Sequence, residues 1–228
     1  MDKAIGVIIP AAGAGNRLGG TAKPLVEIGG RPIITRILSL FSELRGVRRI
    51  CLAVPEAMIV RYEEIVRSMG LGYLVETVPG GQQRADSVRN AYERLGNLIE
   101  EEDLVCIHDA ARPLLVKSDL DMVIGAGRQY GAALLALRVK DTLKSVDDEN
   151  FCVATVDRAG IFGAQTPQVM TSKFLAQAYA EVKDISNVTD EITLMEMIGV
   201  RTFVVEPRHL NLKLTTPEDL ELIRKLIS

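Results

Sequence analysis

Glycines and basic residues crowd into one short segment near the amino terminus, AAGAGNRLGGTAKPL at residues 11–25. The segment follows an apolar run that is typical of a buried strand. Gly13 and Gly15 allow backbone N–H groups to turn toward an anion, and Arg17 and Lys23 add positive charge. Such a loop can bind phosphates and stabilise the charge of phosphoryl or nucleotidyl transfer. The alternative is a tight turn with two solvated basic side chains.

The segment differs from the two common phosphate-binding loops. The dinucleotide fingerprint G-x-G-x-x-G needs a third glycine where Leu18 stands. The P-loop, G-x-x-x-x-G-K-[ST], needs a lysine where Thr21 stands, and Lys23 comes two residues later. Because Pro24 disfavours the α region for the residue before it, we expect Lys23 to lie in an extended loop and not at a helix start.

Two further polar loops, PGGQQRADS and HDAARP, each follow an apolar run. Asp109 in the second loop has the chemistry to hold Mg²⁺ or a substrate hydroxyl. Alternatively it caps a turn, with Arg112 as its ion-pair partner. In the first loop, Asp86 or Ser87 could be the N-cap of the following helix, or Ser87 could bond a nucleotide. The residues alone leave these alternatives open.

Lys213 near the carboxyl terminus alternates with two leucines, so its side chain points away from an apolar face and we expect it to face a crevice. The residues that follow it start a helix, with Thr216 as cap, Pro217 at the first position and Asp219 completing a capping pair. Lys213 is therefore interpreted as a functional residue, whereas Thr216, Pro217 and Asp219 are interpreted as the start of a helix.

Histidine is scarce, with only His108 and His209 in the chain, and no Ser-His-Asp or Cys-His arrangement is evident. A reaction that needs no strong general base fits this composition. Attack by a substrate phosphate on the α-phosphorus of a nucleoside triphosphate is such a reaction, because the nucleophile is already an anion at neutral pH. Catalysis then depends on positioning and charge neutralisation. The residues thus indicate an α/β enzyme that handles a nucleotide and a second phosphate.

The composition excludes several other classes of protein. The 228 residues are 47% hydrophobic and 25% charged, as in ordinary globular domains, and the net charge of −3 argues against a nucleic-acid binder. Cys51 and Cys106 lie in apolar runs, as expected for reduced core residues of a cytoplasmic protein. Without a C-x-x-C pair a structural zinc site is not expected. No stretch approaches about 18 uninterrupted apolar residues, so no transmembrane helix is expected.

Apolar runs alternate with longer amphipathic segments along the whole chain, which predicts a single α/β domain over residues 1–228 with a mostly parallel sheet flanked by helices. The ligand crevice of such sheets lies beyond the carboxyl ends of the strands, so the three polar loops should converge there. The candidate strands are 4–9, 48–54, 72–76, 103–108, 132–137 and 201–205, and the candidate helices are 31–44, 56–69, 86–96, 117–130, 172–183, 189–198 and 217–227.

Residues 138–160 break this alternation. Two short β-like stretches, 142–146 and 152–156, flank a polar turn and predict a hairpin. The hairpin either folds as an edge of its own subunit or forms an arm that packs on a partner. The residues alone favour neither.

Seven segments together resemble a known family: AAGAGNR…K, GGQQRADSV, IHDAARP, KDTLK, TVDRAGIFGAQTPQ, TDE and NLKLTTPEDL, in this order over nearly the whole chain. The chain is similar to the 2-C-methyl-D-erythritol 4-phosphate cytidylyltransferases. The resemblance implies a Rossmann-like nucleotidyltransferase domain with a protruding β-hairpin arm. It also implies transfer of CMP from CTP to methylerythritol phosphate, with release of pyrophosphate, in the non-mevalonate isoprenoid pathway. The alternative is a related nucleotidyltransferase that acts on ribitol 5-phosphate or another polyol phosphate.

The resemblance also implies roles for individual residues. The triphosphate positions are Ala11, Ala12, Gly13, Gly15, Arg17 and Lys23; the cytidine positions are Gly81, Gln82, Ser87 and Ala110; and the polyol-phosphate positions are Asp109, Arg112, Thr142, Arg158, Thr189 and Lys213. Arg17 and Lys23 would stabilise the transition state, and Arg158 and Lys213 would orient the nucleophilic phosphate.

The resemblance further implies a homodimer in which the 138–160 arm crosses to the neighbouring subunit. Thr142 and Arg158 would then serve the neighbour's active site. A divalent cation, Mg²⁺ or another, would be held largely by the CTP phosphates, with its protein ligands unknown. No nucleic-acid or membrane partner is implied.

Overall fold

The computed structural model of the chain describes residues 3–13, 22–185 and 188–227. A seven-stranded sheet forms its centre, in the order β5-β4-β1-β6-β10-β7-β11. These strands are β1 (Ile5–Pro10), β4 (Val47–Val54), β5 (Val75–Pro79), β6 (Leu104–Ile107), β7 (Ala132–Arg138), β10 (Phe162–Thr171) and β11 (Phe203–Val205). Strand β10 runs antiparallel to both of its neighbours, and the other described pairs in this sheet are parallel. The α/β architecture with a mostly parallel sheet is therefore confirmed.

Helices cover both faces of the sheet and bury two apolar layers against it. The described helices are α1 (Ile33–Ser42), α2 (Ile59–Ser68), α3 (Arg84–Leu95), α4 (Lys117–Tyr130), α5 (Ser172–Glu181), α6 (Glu191–Met197) and α7 (Pro217–Ile227). In α1, Ile33, Ile37 and Phe41 recur at helical spacing and are buried. Every predicted helix is thus present, with ends that differ by a few residues. No described helix has the length and apolar character required to span a bilayer.

The strand predictions fail in two places. The third strand begins at Val75 and not at residue 72, because Leu71 to Leu74 form a turn closed by a 2.9 Å hydrogen bond from Leu74 N to Leu71 O. Strand β10 was not predicted at all. Its sequence FGAQTPQVMT is polar and contains Pro167, which favours a non-strand reading. The structure accommodates this proline where the ladder with β7 is irregular, between Ala164 and Gln168.

A hairpin connects β7 to β10 and forms a sheet of its own from β8 (Leu143–Val146) and β9 (Cys152–Val156). Its turn is closed by the Asp147 carboxylate, which accepts hydrogen bonds from Glu149 N and Phe151 N. All residues of β9 are exposed. The predicted hairpin is confirmed. A second two-stranded sheet pairs β2 (Glu27–Ile28) with β3 (Arg31–Pro32), and β3 takes the place of the first residues of the predicted helix 31–44.

Candidate active site

A cleft of about 400 Å³ lies at the carboxyl ends of β1, β5 and β6. The loops that follow these strands supply most of its walls, as the strand order predicts. The described residues that line the cleft are Pro10, Ala11, Ala12, Gly13, Lys23, Pro24, Gly81, Gln82, Gln83, Arg84, Ser87, Asp109, Ala110, Ala111 and Lys213. Ten of the predicted site residues are among them: Ala11, Ala12, Gly13, Lys23, Gly81, Gln82, Ser87, Asp109, Ala110 and Lys213.

The loop after β1 begins with the buried Ala11, whose N–H donates to Ala53 O at 2.7 Å. Gly15 and Arg17 lie outside the described residues. Lys23 begins a single 3₁₀ turn, Lys23–Leu25, so the expectation of an extended loop at this residue is wrong. The turn is compatible with the following proline, because the ring's fixed φ suits a first helical turn and no N–H is required there.

The loop after β5 is held by its own hydrogen bonds. Ser87 Oγ accepts from Gly81 N at 3.0 Å and donates to Gln83 O at 3.1 Å. Helix α3 begins at Arg84, with Gln83 as its N-cap and Asp86 at the third position of a capping box. Asp86 therefore has a structural role, and Ser87 shapes the wall of the cleft, although neither is the N-cap.

Glycine is required at the start of the same loop. A Cβ at Gly80 would collide with the side chain of Ala12, and one at Gly81 would collide with Asp86. The two loops after β1 and β5 can therefore approach each other only because Gly80 has no side chain.

The loop after β6 is anchored by a buried histidine. His108 Nε2 lies 3.0 Å from Arg112 O, and its Nδ1 lies 3.1 Å from Thr166 Oγ1. Because a carbonyl oxygen can only accept, Nε2 carries the proton and Nδ1 accepts from the hydroxyl. Burial lowers the pKa of His108 to about 4, so the ring is neutral at pH 7. Thr166 Oγ1 in turn accepts from Asp109 N at 3.0 Å, which fixes the backbone of the site's carboxylate.

Asp109 lies at the centre of a charge network. Its Oδ1 accepts from Arg84 Nε at 2.9 Å, and its Oδ2 accepts from Lys213 Nζ at 2.8 Å. Burial alone would raise the pKa of Asp109, but the charges of Arg84 and Lys213 hold it well below its ordinary value. Asp109 is therefore ionised in the folded protein, and Lys213 faces the cleft as its alternation with leucines predicts.

Arg84 also binds a second carboxylate. Its Nη1 donates to both oxygens of Glu191, at 3.0 and 2.8 Å. Burial raises the pKa of Glu191, whereas the charge of Arg84, whose Nη1 donates to both oxygens, opposes this rise and favours the ionised carboxylate. Arg84 and Glu191 stand in the segments RADSV and TDE, and no role was predicted for either residue. The available signal was a basic residue at the junction of a glycine-rich loop and a helix.

Arg112, predicted to contact the polyol phosphate, lies behind the cleft. Its Nη1 donates to Asn211 O at 2.8 Å, and its Nε is 3.9 Å from Asp109 Oδ2. Burial lowers the pKa of Arg112. Thr189 is exposed in the segment before α6. Thr142 and Arg158 are exposed on the 138–160 arm and do not line the described cleft of their own chain.

The described residues include no group of three or more His, Cys, Asp or Glu side chains placed to hold a metal ion. Asp109 is the one carboxylate among the described lining residues of the cleft. Mg²⁺ commonly binds one or two carboxylates together with substrate phosphates and water. The cleft thus fits a cation that arrives with phosphates better than one held by the protein alone.

Solved structures with the same architecture place the chain in a class of enzymes. The chain superposes on a 4-diphosphocytidyl-2C-methyl-D-erythritol synthase with a TM-score of 0.83 and 31% identity, over 100% of both chains. It superposes on the synthase from Anaerococcus prevotii with a TM-score of 0.82 and 27% identity, over 99% and 98% of the two chains. The fold and the phosphate-suited cleft define a nucleotidyltransferase.

Sequence comparison identifies the family. The profile of 2-C-methyl-D-erythritol 4-phosphate cytidylyltransferase matches residues 5–227. The enzyme of that name from Geobacillus kaustophilus is 36% identical over 215 residues, 93% of this chain and 92% of its own length. The one from Clostridium perfringens is 33% identical over 229 residues, the full length of both chains. The chain belongs to the 2-C-methyl-D-erythritol 4-phosphate cytidylyltransferase family, and its activity is that of a cytidylyltransferase in isoprenoid biosynthesis.

Proposed function

We propose that this cleft performs the family's reaction, in which CTP and 2-C-methyl-D-erythritol 4-phosphate give CDP-methylerythritol and pyrophosphate. An oxygen of the polyol phosphate attacks the α-phosphorus of CTP and forms the new P–O bond. The bond from the α-phosphorus to the oxygen that bridges it to the β-phosphorus breaks, and pyrophosphate leaves with that electron pair. The observation that carries this proposal is the cleft itself, which Lys23 lines together with the Asp109 carboxylate and its two partners Arg84 and Lys213, at the carboxyl ends of the sheet.

The reaction needs no general base from the protein. The attacking phosphate is an anion at neutral pH, and none of the described lining residues is a histidine. His108 is neutral, buried and engaged in the anchoring of its loop. Catalysis therefore comes from orientation of the two substrates and from fixed positive charge at the reacting phosphorus.

The CTP side of the cleft is formed by the loops after β1 and β5. Ala11, Ala12 and Gly13 contact the triphosphate through their backbone, and Lys23 stabilises the charge that develops in the transition state. Gly15 and Arg17 serve the same triphosphate, and Arg17 stabilises the transition state together with Lys23. The cytidine lies against Gly81, Gln82, Ser87 and Ala110, which line the adjoining wall.

The polyol-phosphate side contains Asp109 and Lys213. Lys213 orients the attacking phosphate. Asp109 accepts a hydrogen bond from a hydroxyl of the substrate and another from Lys213 Nζ, which holds the lysine in place. Arg112 adds positive charge from behind Asp109. Thr189, exposed before α6, contacts the same substrate from the rim.

The 138–160 arm completes the site of a second subunit in a homodimer. The hairpin exposes Phe151 and Val153, each about two thirds accessible, together with Val146. Apolar side chains grouped on one exposed hairpin are typical of an interaction surface. Thr142 and Arg158 extend from the arm and contact the polyol phosphate in the neighbour's cleft. The domain thus comprises residues 1–228 with the arm as its dimerisation element.

A divalent cation, Mg²⁺ or a substitute, joins the site with CTP. Asp109 would hold it together with the CTP phosphates, because a carboxylate has lone pairs beyond those that accept from Arg84 and Lys213. When bound, the cation would neutralise charge on the phosphates and favour departure of pyrophosphate.

We also expect the reaction to take place in the cytoplasm. Cys51 and Cys106 are free, buried thiols, and burial raises the pKa of Cys51 to about 12. Unpaired buried thiols of this kind fit a reducing compartment.

A pyrophosphate-release assay tests the proposal. The purified chain is incubated with CTP and Mg²⁺ and with either methylerythritol phosphate or ribitol 5-phosphate. We expect release that depends on methylerythritol phosphate. Release with ribitol 5-phosphate alone would assign the chain to the related polyol-phosphate transferases, and CTP binding without release on any polyol phosphate would contradict an enzymatic role.

A further inference from the structure

Glu191 is a fully buried carboxylate that does not line the cleft. It begins α6, has no exposed surface, and its backbone N–H donates to Gln168 Oε1 at 3.1 Å. Both of its carboxylate oxygens accept from a single nitrogen, Nη1 of Arg84. Removing a carboxylate from water costs several kcal/mol, so this pairing needs a reason beyond the local fold.

Arg84 transmits the position of this carboxylate to the cleft. The guanidinium is planar and its donors form a rigid fork. With Nη1 held by Glu191, the Nε–H of the same plane donates to Asp109 Oδ1 at 2.9 Å. Asp109 then presents its other oxygen, Oδ2, to Lys213 Nζ at 2.8 Å. Four side chains of alternating charge thus connect a buried residue to the lysine that faces the cleft.

The alternation of charge restricts each member to one arrangement. A rotation of Arg84 would leave a buried carboxylate without its partner, which is strongly destabilising. A rotation of Asp109 would break its bonds to Arg84 and Lys213 together. Apolar side chains of similar volume would stabilise a fold as well as a buried ion pair or better. The network is therefore better suited to orienting charged groups than to stabilising the fold.

We infer that Glu191 is a positioning residue for the reaction, which acts through Arg84 and Asp109 to aim Lys213 at the attacking phosphate. The inference rests on the proposed role of Lys213. It predicts that loss of Glu191 reduces kcat, because the phosphate is no longer held in line for attack. It also predicts little change in the KM for CTP, since Arg84 and Lys213, the partners of Asp109 in the network, are not among the residues assigned to CTP.

The first test is Glu191→Gln, which keeps the size of the side chain and removes its charge. We expect kcat to fall about 10-fold, as for loss of one charged hydrogen-bonded contact, with the KM for CTP changed less than about 2-fold. Glu196→Gln is the matched control, because Glu196 lies on the same helix and is exposed; its kcat should equal that of the wild type.

The decisive test is a double-mutant cycle with Lys213→Ala. If Glu191 acts through Lys213, Glu191→Gln should have no further effect on kcat once the lysine is removed. The same 10-fold loss in both backgrounds would overturn the inference, because it would indicate a general effect on the fold. Wild-type kcat in the single variant would overturn it too.

Two further variants distinguish failure of this inference from misfolding of Glu191→Gln and from failure of the proposed function. If circular dichroism shows that Glu191→Gln does not fold, Glu191→Asp replaces it in the cycle. The aspartate keeps the charge, but its side chain is one methylene shorter and cannot hold Arg84 in the same position. A wild-type kcat in that variant would contradict the inference. Lys213→Ala alone reports on the proposed function. If Lys213→Ala has the kcat of the wild type, Lys213 has no role in the reaction and the proposed function loses that residue. If kcat falls in Lys213→Ala but not in Glu191→Gln, only the role of Glu191 is contradicted.

Discussion

The cleft and the 138–160 arm differ in the contacts that their side chains make within the chain. In the cleft, Asp109 is nearly buried and bonds to both Arg84 and Lys213 of its own chain. On the arm, apolar side chains such as Phe151 and Val153 remain exposed. The charge network of the cleft is thus formed within one chain, whereas the apolar surface of the arm is left exposed by the chain itself. The proposed dimer would add the residues of the arm to a cleft whose charge network is already complete in one chain.

The largest effect should come from the cleft. Lys23→Ala should lower kcat by about 10²- to 10³-fold, the usual result of losing one preorganised charge at a transition state. Steady-state kinetics with both substrates measures it. Lys117→Ala, which removes a lysine paired with Asp121 on the surface, is the control and should leave kcat unchanged. A change confined to KM in the first variant would mean that Lys23 only binds CTP.

The next prediction concerns the arm. Val153→Glu puts a charge on the exposed apolar face and, in a two-fold dimer, does so twice. We expect the dissociation constant of the dimer to rise by about 100-fold or more, from the lost burial and the added charge. Light scattering across a concentration series measures this. Tyr73→Glu, at a residue 75% exposed outside the arm, should leave the assembly unchanged. A chain that is monomeric before substitution would contradict the contrast between the two regions.

A third prediction concerns the pH dependence of stability, which should come from the loop of the cleft that contains His108 and not from the arm. Burial lowers the folded-state pKa of His108 to about 4, so between that value and about 6.5 the unfolded chain binds one more proton than the folded one. The contribution of the neutral His108 to the free energy of unfolding is complete above about pH 6.5. It decreases as the pH is lowered toward 4, by roughly 3 kcal/mol in total. The arm contains no histidine. Urea denaturation at several pH values checks this.

His108→Gln is the variant for that experiment. It removes the titrating group and should flatten the fall in stability between about pH 6.5 and 4, whatever its effect at pH 7. An unchanged slope in the variant would assign the acid sensitivity to other groups.

The smallest effect is expected at the wall of the cleft. Ser87→Ala removes the acceptor of the Gly81 N–H bond and should cost about 1 kcal/mol, which is a rise of roughly 5-fold in the KM for CTP. Ser68→Ala, at an exposed serine of α2 that does not line the described cleft, is the control. Equal KM values in the two variants would show that the loop does not depend on Ser87.

Sequence reasoning located most of the cleft because parallel strands bring their carboxyl ends to one edge. The convergence of the three loops and the direction of Lys213 follow from the pattern of apolar residues. Strand β10 was missed because Pro167 and its polar neighbours resemble a loop, and only pairing with β6 and β7 makes the segment a strand. A local pattern does not contain that information.

The charge network was missed for a different reason. Arg84 and Glu191 are separated by 107 residues, and each alone resembles an ordinary surface charge. Their roles follow from burial and from mutual contact, which are tertiary properties. The 3₁₀ turn at Lys23 was missed because the residue before a proline is only biased against helical backbone.

The most direct test of the account is subunit complementation between the two regions. Lys23→Ala damages the cleft and Arg158→Ala damages the arm, so each homodimer should be nearly inactive. If the arm serves the neighbour's cleft, a mixed dimer contains one intact site, and unfolding and refolding the two variants together should restore about a quarter of the wild-type kcat per chain. No restoration, in a mixture shown to contain mixed dimers, would contradict a site shared between subunits.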